Sequence, residues 1–342
     1  MVENQIHPWT PRNLRRFNEL RLLRPACWLA LCLFLGPWCL PAAAQSFAYV
    51  PTHKSNSVSV INIATNSVTA VVPVGVQPLQ AAISPDGAFV YVTNSGWFYP
   101  VNDVSVISTA TNSVVATIPV GRFPVGVTLT PNGAFAYVAN QNSNNVSVIN
   151  TATKTVVATV AVGTNPWGVA VARNGAFVYV TNQATNDVSV ISTATNSVVA
   201  TIPVGGNPVG LAFTPDGAFA YVANYLSASV SVIDTNSRAV VKTVATPAYP
   251  IALAITPNGA SAYVATNGDN IVSVISTATN TVTGSIAVGS LPRGVAITRD
   301  GAFAYVSNRM SNDVSVIDTT TNAVVATVSG VAALPEGVAI KP

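Results

Sequence analysis

The sequence predicts an all-β fold: a seven-bladed β-propeller of four-stranded antiparallel blades, closed by pairing the C-terminal strand with the N-terminal strands. Three observations carry the prediction. A Tyr-Val-x-Asn phrase, or a close variant, begins at Tyr49, Tyr91, Tyr137, Tyr179, Tyr221, Tyr263 and Tyr305, at spacings of 42, 46, 42, 42, 42 and 42. Each unit holds four short runs rich in Val, Ile, Thr and aromatic residues, the composition that suits a pleated surface. The first and last units are incomplete in complementary ways.

One unit shows the elements in order. An inner strand of Gly-Val-Ala type (Gly168–Val171) leads to a second strand around the tyrosine (Ala176–Val180). A third strand (Val188–Ile191) alternates Val with Ser at period two, and a fourth runs from Val198 to Val204. Asp-Gly or Asn-Gly separates the first two strands in all six complete copies, from Asp86-Gly87 to Asp300-Gly301. Glycine there permits a positive φ, and Asp or Asn favours the turn. Between the third and fourth strands, Asn66, Asn112, Asn196, Asn280 and Asn322 occupy one place, with Lys154 and Arg238 filling it in the other two units. Asn tolerates the left-handed conformation that a bulged hairpin turn requires.

A meander of this length is a propeller blade, which buries its faces only against neighbouring blades. The inner strand occurs seven times, last at Gly337–Ile340, and the tyrosine strand seven times, first at Phe47–Val50. The chain ends after an inner strand and its repeats start without one. The two ends are therefore expected to complete a single blade, which also hides strand edges that invite aggregation. A solenoid would not need this complementary split.

Residues 1–44 read as a signal peptide preceding a propeller over 45–342. Five arginines up to Arg24 precede an apolar stretch, Ala26 to Leu40, and then Ala42-Ala43-Ala44. Fifteen apolar residues interrupted by Pro37 are short for a membrane span of about 20. The expectation is an exported protein, periplasmic, secreted or at the cell surface, with no membrane span after cleavage. All three cysteines (Cys27, Cys32, Cys39) lie in the leader, so no disulfide or thiol chemistry is expected downstream. The remaining chain has ten Lys/Arg and ten Asp/Glu, a neutral body without the electrostatic footprint of a nucleic-acid binder.

On the Tyr-Val-x-Asn phrases and their register, the chain resembles the YVTN-type β-propeller repeat family over essentially all of 46–342. The resemblance implies the fold. Propellers of this kind include bacterial surface-layer proteins, lactonase-like enzymes similar to phosphogluconolactonase and the haem-binding propeller of a nitrite reductase, so the fold does not choose a function.

In such a ring, the fourth-to-first and second-to-third loops share one face, and the near-uniform turns share the other. The variable face is where a site is expected. A recurring proline there is followed by Leu79, Val125, Trp167, Val209, Ile251, Arg293 or Glu336. The second unit is longer, and its loop carries Trp97, Phe98 and Tyr99. With Arg122 and Arg309 on the same face, the candidate ligand-binding set is Trp97, Phe98, Tyr99, Arg122, Trp167, Arg293, Arg309 and Glu336, aromatics and charges able to hold a small molecule, a glycan or a protein. Arg293 and Glu336 are expected to pair at the rim. His53 is the single histidine after the leader, too few for a zinc site or an evident catalytic triad. Asp103, Asp187 and Asp313 are expected to hydrogen-bond at strand starts. No catalytic residue, metal or cofactor is assigned. The function expected is a non-catalytic, monomeric binding or surface-interaction propeller. A lactonase-like hydrolase is the alternative, and a periplasmic redox or haem accessory a weaker one. N-terminal sequencing of the exported protein is expected to begin at Gln45, after cleavage at Ala44.

Overall fold

The computed structural model describes residues 46–96 and 101–341. Residues 1–44, expected to be a signal peptide, and the aromatic triplet Trp97, Phe98 and Tyr99 lie outside the described residues. β1 (Phe47–Thr52), β2 (Ser57–Asn62) and β3 (Ser67–Pro73) open the chain. Six complete meanders follow: β4–β7 within 78–119, β8–β11 within 124–161, β12–β15 within 166–203, β16–β19 within 208–245, β20–β23 within 250–287 and β24–β27 within 292–328. β28 (Ala339–Ile340) ends the series. The strands form seven four-stranded antiparallel sheets, six in chain order and one ordered β28-β1-β2-β3. The last strand therefore completes the first blade, as the split of the repeats predicts.

The closing strand is shorter than expected. Tyr49 faces Ala339 and Ala48 faces Ile340, while Pro335 bridges Thr52 separately. The inner strands of complete blades break their pairing at the same place, as between Pro166 and Val169, and at the seam the freed Gly337 N–H donates to the Leu79 carbonyl of the second blade (3.0 Å). The seam holds at further points: Glu336 N–H to the Pro51 carbonyl, His53 N–H to Leu334 and Lys341 N–H to Phe47, all 2.8–2.9 Å.

The turns follow the residue chemistry. Gly87 and its five counterparts take φ of +69° to +75°. The Asp or Asn before each glycine accepts from the backbone two residues on, as Asp86 does from Ala88 N–H at 2.9 Å. The third-to-fourth turn is left-handed in every blade, φ +48° to +55°, including Lys154 and Arg238. The pairing after it carries a bulge each time, between Val60 and Ile61 in the first blade.

Burial concentrates on the two middle strands. The repeat tyrosines are at most 1% exposed and pack between blades with Val, Ala and Ile of both neighbours. Five of them reach a turn in the following blade. Tyr49 donates to Asn112 Oδ1 (3.0 Å), Tyr137 to Asn196 (3.0 Å), Tyr221 to Asn280 (2.5 Å), Tyr263 to Asn322 (2.5 Å) and Tyr305 to Asn66 (2.6 Å). The last of these joins the seventh blade to the first. In the two remaining interfaces the acceptor is replaced by a cation that lies over a phenylalanine ring: Lys154 over Phe89 at 5.6 Å and Arg238 over Phe177 at 4.7 Å. Burial pushes the hydroxyls of Tyr49 and Tyr305 up to about 12.

A second buried device sits inside the blades. The asparagine of the repeat phrase donates to the start and middle of the third strand, as Asn94 does to Asp103 Oδ1 (2.6 Å) and Ser105 Oγ (2.9 Å). Asn182 and Asn308 bind Asp187 and Asp313 in the same way. The three recurring aspartates thus have the strand-start role expected of them. Burial raises the carboxyl of Asp103, and the Asn94 hydrogen bond acts against that rise.

Two outcomes follow. Tyr→Phe at 137, 221 or 305 is expected to cost about 1 kcal/mol each by urea denaturation, since a partly buried Asn oxygen loses its donor. The same change at Tyr91 or Tyr179, whose neighbouring turns offer no Asn, is expected to cost less than half as much. Deleting Glu336–Pro342 removes the closing strand and is expected to lower the melting temperature substantially; an unchanged melting curve would count against the closure.

Candidate functional site

The inner strands converge on an axis, and the residue after each recurring proline points to one end of it. The next position is crowded: a side chain at Gly126, Gly168, Gly210 or Gly294 would strike the backbone carbonyl of the following blade. Glycine is needed there because neighbouring inner strands approach too closely for a Cβ. Gln80 and Ala252 are the departures, and Gln80 turns its amide toward Gly337.

Above this constriction lies Trp167. It packs on Leu79, Phe123 and Val125 on one side and on Val209 and Ile251 on the other, so a partly buried indole spans residues of five blades. A cavity of about 150 Å3 lies beneath, lined by Trp167, Ile251, Gln80, Arg293 and Glu336 among others.

The polar side of this cavity is built at the seam where the chain ends meet. Glu336 is only 6% exposed. Arg309 Nε donates to its Oε1 at 2.6 Å, and Arg293 Nε lies 3.3 Å from Oε2. The Arg293 contact is an ion pair off the hydrogen-bond direction, so Arg309 is the tighter partner. The expected Arg293–Glu336 pair is present, but it is buried on the acid's side and shared with Arg309. Loss of Arg293 leaves Glu336 held by Arg309, whereas loss of both guanidiniums would leave a buried, uncompensated charge, unlike the rupture of a solvated rim pair. The serine hydroxyl of Ser307 fixes the Glu336 carbonyl.

His53 occupies the same place in the first blade that Arg309 occupies in the seventh, each directly after the repeat phrase. Burial holds its imidazole below the usual value; the Glu336 charge opposes this, and Arg309 and Arg293 reinforce it. Its Nδ1 is buried without a hydrogen-bond partner. The cluster thus combines a carboxylate held by two guanidiniums with a neutral imidazole, for a net charge of +1. Both carboxylate oxygens of Glu336 face guanidiniums, and burial favours the neutral form of the His53 imidazole.

The structure brings together Trp167, Arg293, Arg309 and Glu336 of the expected set. Arg122 stands apart, exposed in the third blade, where its backbone N–H donates to Ser143 Oγ at 2.8 Å. His53 is the member of the cluster that the repeat pattern did not single out. Aligning the residue after each Tyr-Val-x-Asn phrase is the signal that pairs it with Arg309. Tyr225, at the equivalent position in the fifth blade, stacks on Tyr249 with centroids 4.8 Å apart. Among the described residues no three His, Cys, Asp or Glu side chains gather into a metal-binding group.

The profile of the lactonase family, described as a seven-bladed β-propeller, matches residues 42–157 and 195–342. The chain belongs to that family. The unmatched stretch between the two segments contains Trp167, so the indole over the axis lies in the part of this lactonase-family propeller that departs from the profile. A cytochrome D1 haem-domain profile also matches residues 135–253. No curated protein matches the chain significantly. Among solved structures, the Kuenenia stuttgartiensis hydrazine synthase is 24% identical with a TM-score of 0.69, covering 79% of this chain and 92% of that one. A Bacteroides uniformis protein proposed to be a 6-phosphogluconolactonase is 18% identical with a TM-score of 0.73, covering 87% and 100%. The dihydro-haem d1 dehydrogenase NirN in its complex with DHE is 16% identical with a TM-score of 0.64, covering 85% and 74%. These identities speak to the fold.

The depressed His53 predicts a pH dependence. Its folded-state value lies below the unfolded 6.5, so the stability gained from the neutral imidazole is complete above pH 6.5. That stability is lost as pH falls through the folded value. The melting temperature is expected to fall between pH 7 and 5, and to fall less steeply in His53→Gln.

Proposed function

We propose that this chain is an exported, non-catalytic binding propeller built from YVTN-type repeats, with its ligand on the face carrying Trp167, Arg293, Arg309 and Glu336. The observation that carries this reading is the arrangement over the axis. A partly exposed indole on an apolar floor adjoins a net-cationic sector, which suits a ligand with one flat apolar surface and a polar or anionic edge. Glycans and small carboxylated molecules have that character. Both oxygens of Glu336 are occupied by arginines, which leaves the carboxylate without a free edge toward a substrate. Export rests on the basic, apolar and small-residue order of residues 1–44.

Lactone hydrolysis is the second reading. Family membership favours it, and so does the neutral imidazole of His53 beside two arginines able to meet a carboxylate or a developing oxyanion. A haem accessory role draws only on the partial haem-domain match.

A glycan array probed with the purified protein, followed by a lactone panel and a visible spectrum with added haemin, separates these readings. Trp167→Ala is expected to weaken binding of a retained glycan at least tenfold while the fold remains intact by circular dichroism. Lactone turnover that disappears in His53→Gln would replace the binding reading with the hydrolase, and a Soret shift saturating at one equivalent would replace it with the haem role.

A further inference from the structure

The opposite end of the axis has a different chemistry. There the inner strands diverge from the glycine constriction into a cavity of about 960 Å3. Its shaft has a mainly apolar wall: Val171, Leu211, Phe213, Leu253, Ile255 and Ile297, which also pack between blades, line it from four blades, with Thr128, Thr214 and Thr298 beside them. The shaft and the small cavity beneath Trp167 share Leu211, Leu253 and Val295, so they are two ends of one axial space. Crowded glycines and the indole narrow one end, which makes the channel a tapering pouch that admits a ligand from the wide mouth.

The mouth is basic. The turn position held by Pro85, Pro131, Pro215 and Pro257 in four blades is Arg173 and Arg299 in the other two complete turns described, and Lys341 follows β28 at the same rim. Arg173 and Arg299 are exposed. Among the described residues no carboxylate lies within ion-pair distance of any of the three, because the two ion pairs found are both at Glu336. The turn acids of this face are held in their own turns and stay ionised: Asp86 accepts from Ser84 Oγ (2.5 Å) and Ala88 N–H (2.9 Å), Asp216 from Thr214 Oγ1 (2.5 Å) and Ala218 N–H (3.0 Å), and Asp300 from Thr298 Oγ1 (2.6 Å) and Ala302 N–H (3.0 Å). Those hydrogen bonds hold the three carboxyls below the usual carboxylate range, and none of the three lines the cavity, whose charged lining is Arg173, Arg299 and Lys341. Lys341 Nζ touches only a hydroxyl, Thr109 Oγ1 at 3.3 Å.

We propose that this mouth is a second binding site, for an aliphatic carboxylate: the acid meets Arg173, Arg299 and Lys341, and the hydrocarbon tail enters the apolar shaft. An aliphatic wall offers water few partners and favours an apolar guest, while unpaired cations at its rim select the sign of the headgroup. A wholly polar anion would leave the shaft unfilled, and a neutral hydrocarbon would leave the rim unused. Both halves of the site therefore point to one amphiphile. The site lies on the face away from Trp167, so it stands whatever the other face binds.

Calorimetric titration with decanoate and with decyltrimethylammonium, both below their micelle concentrations, tests the proposal, since the two share a tail and differ in the sign of the head. Saturable decanoate binding at one equivalent is expected, at least tenfold tighter than decyltrimethylammonium. The Arg173→Gln/Arg299→Gln double variant changes exposed turn residues, so its melting temperature is expected to hold while decanoate affinity drops at least tenfold. Trp167→Ala is expected to bind decanoate as the parent does. Absence of saturable decanoate binding, equal affinity for both amphiphiles, unchanged binding in the double variant, or loss of binding in Trp167→Ala would each overturn the assignment.

Discussion

The contact between successive blades is the constraint on which the rest of this protein depends. A four-stranded blade has two apolar faces and can satisfy neither alone. Its second strand supplies a tyrosine whose ring fills the interface and whose hydroxyl crosses to the next blade, five times to an asparagine held in a left-handed turn. One residue type thus couples a hydrophobic contact to a directional bond. Because Tyr305 reaches Asn66, the same device joins the end of the series to its beginning. The polar seam at Glu336 and the axial pouch are consequences of that closure, since neither exists until the ring is complete.

Much of the fold was legible in residue order because the repeat is local. Strand composition, Asp-Gly or Asn-Gly turns and the left-handed Asn position are each written within about 42 residues. The blade count and the terminal split followed from counting strands. The partnership of tyrosine and asparagine was not legible, although each recurs at its own fixed place in the repeat. The two residues stand 59 or 63 apart along the chain, or 239 at the closure, and belong to different blades. The short closing strand was also hidden. The inner strands break their pairing after the recurring proline, and at the seam Gly337 turns its N–H to the second blade, a contact that exists only in the assembled ring.

The candidate site was half legible. The residue after each recurring proline marked Trp167, Arg293 and Glu336, because a departure from the apolar consensus at a fixed place stands out. Arg309 and His53 converge on Glu336 from the other loop of the same face, and nothing in the local sequence states that two loops from adjoining blades meet. The depth of Glu336 escaped as well. A carboxylate in a loop reads as solvated, yet the seam buries it, which turns a weak surface pair into one that is costly to break. On the opposite face the turns are near-uniform, and the replacement of proline by Arg173 and Arg299 is the sign in the sequence that the rim differs chemically.

The measurement that addresses the closure most directly is a double-mutant cycle between Tyr305 and Asn66, using Phe and Ala replacements and equilibrium stability in urea. The account predicts a coupling of about 1 kcal/mol between residues at opposite ends of the chain, with none between Tyr305 and Asn196. Strict additivity of Tyr305 and Asn66 would contradict a ring latched from its last blade to its first.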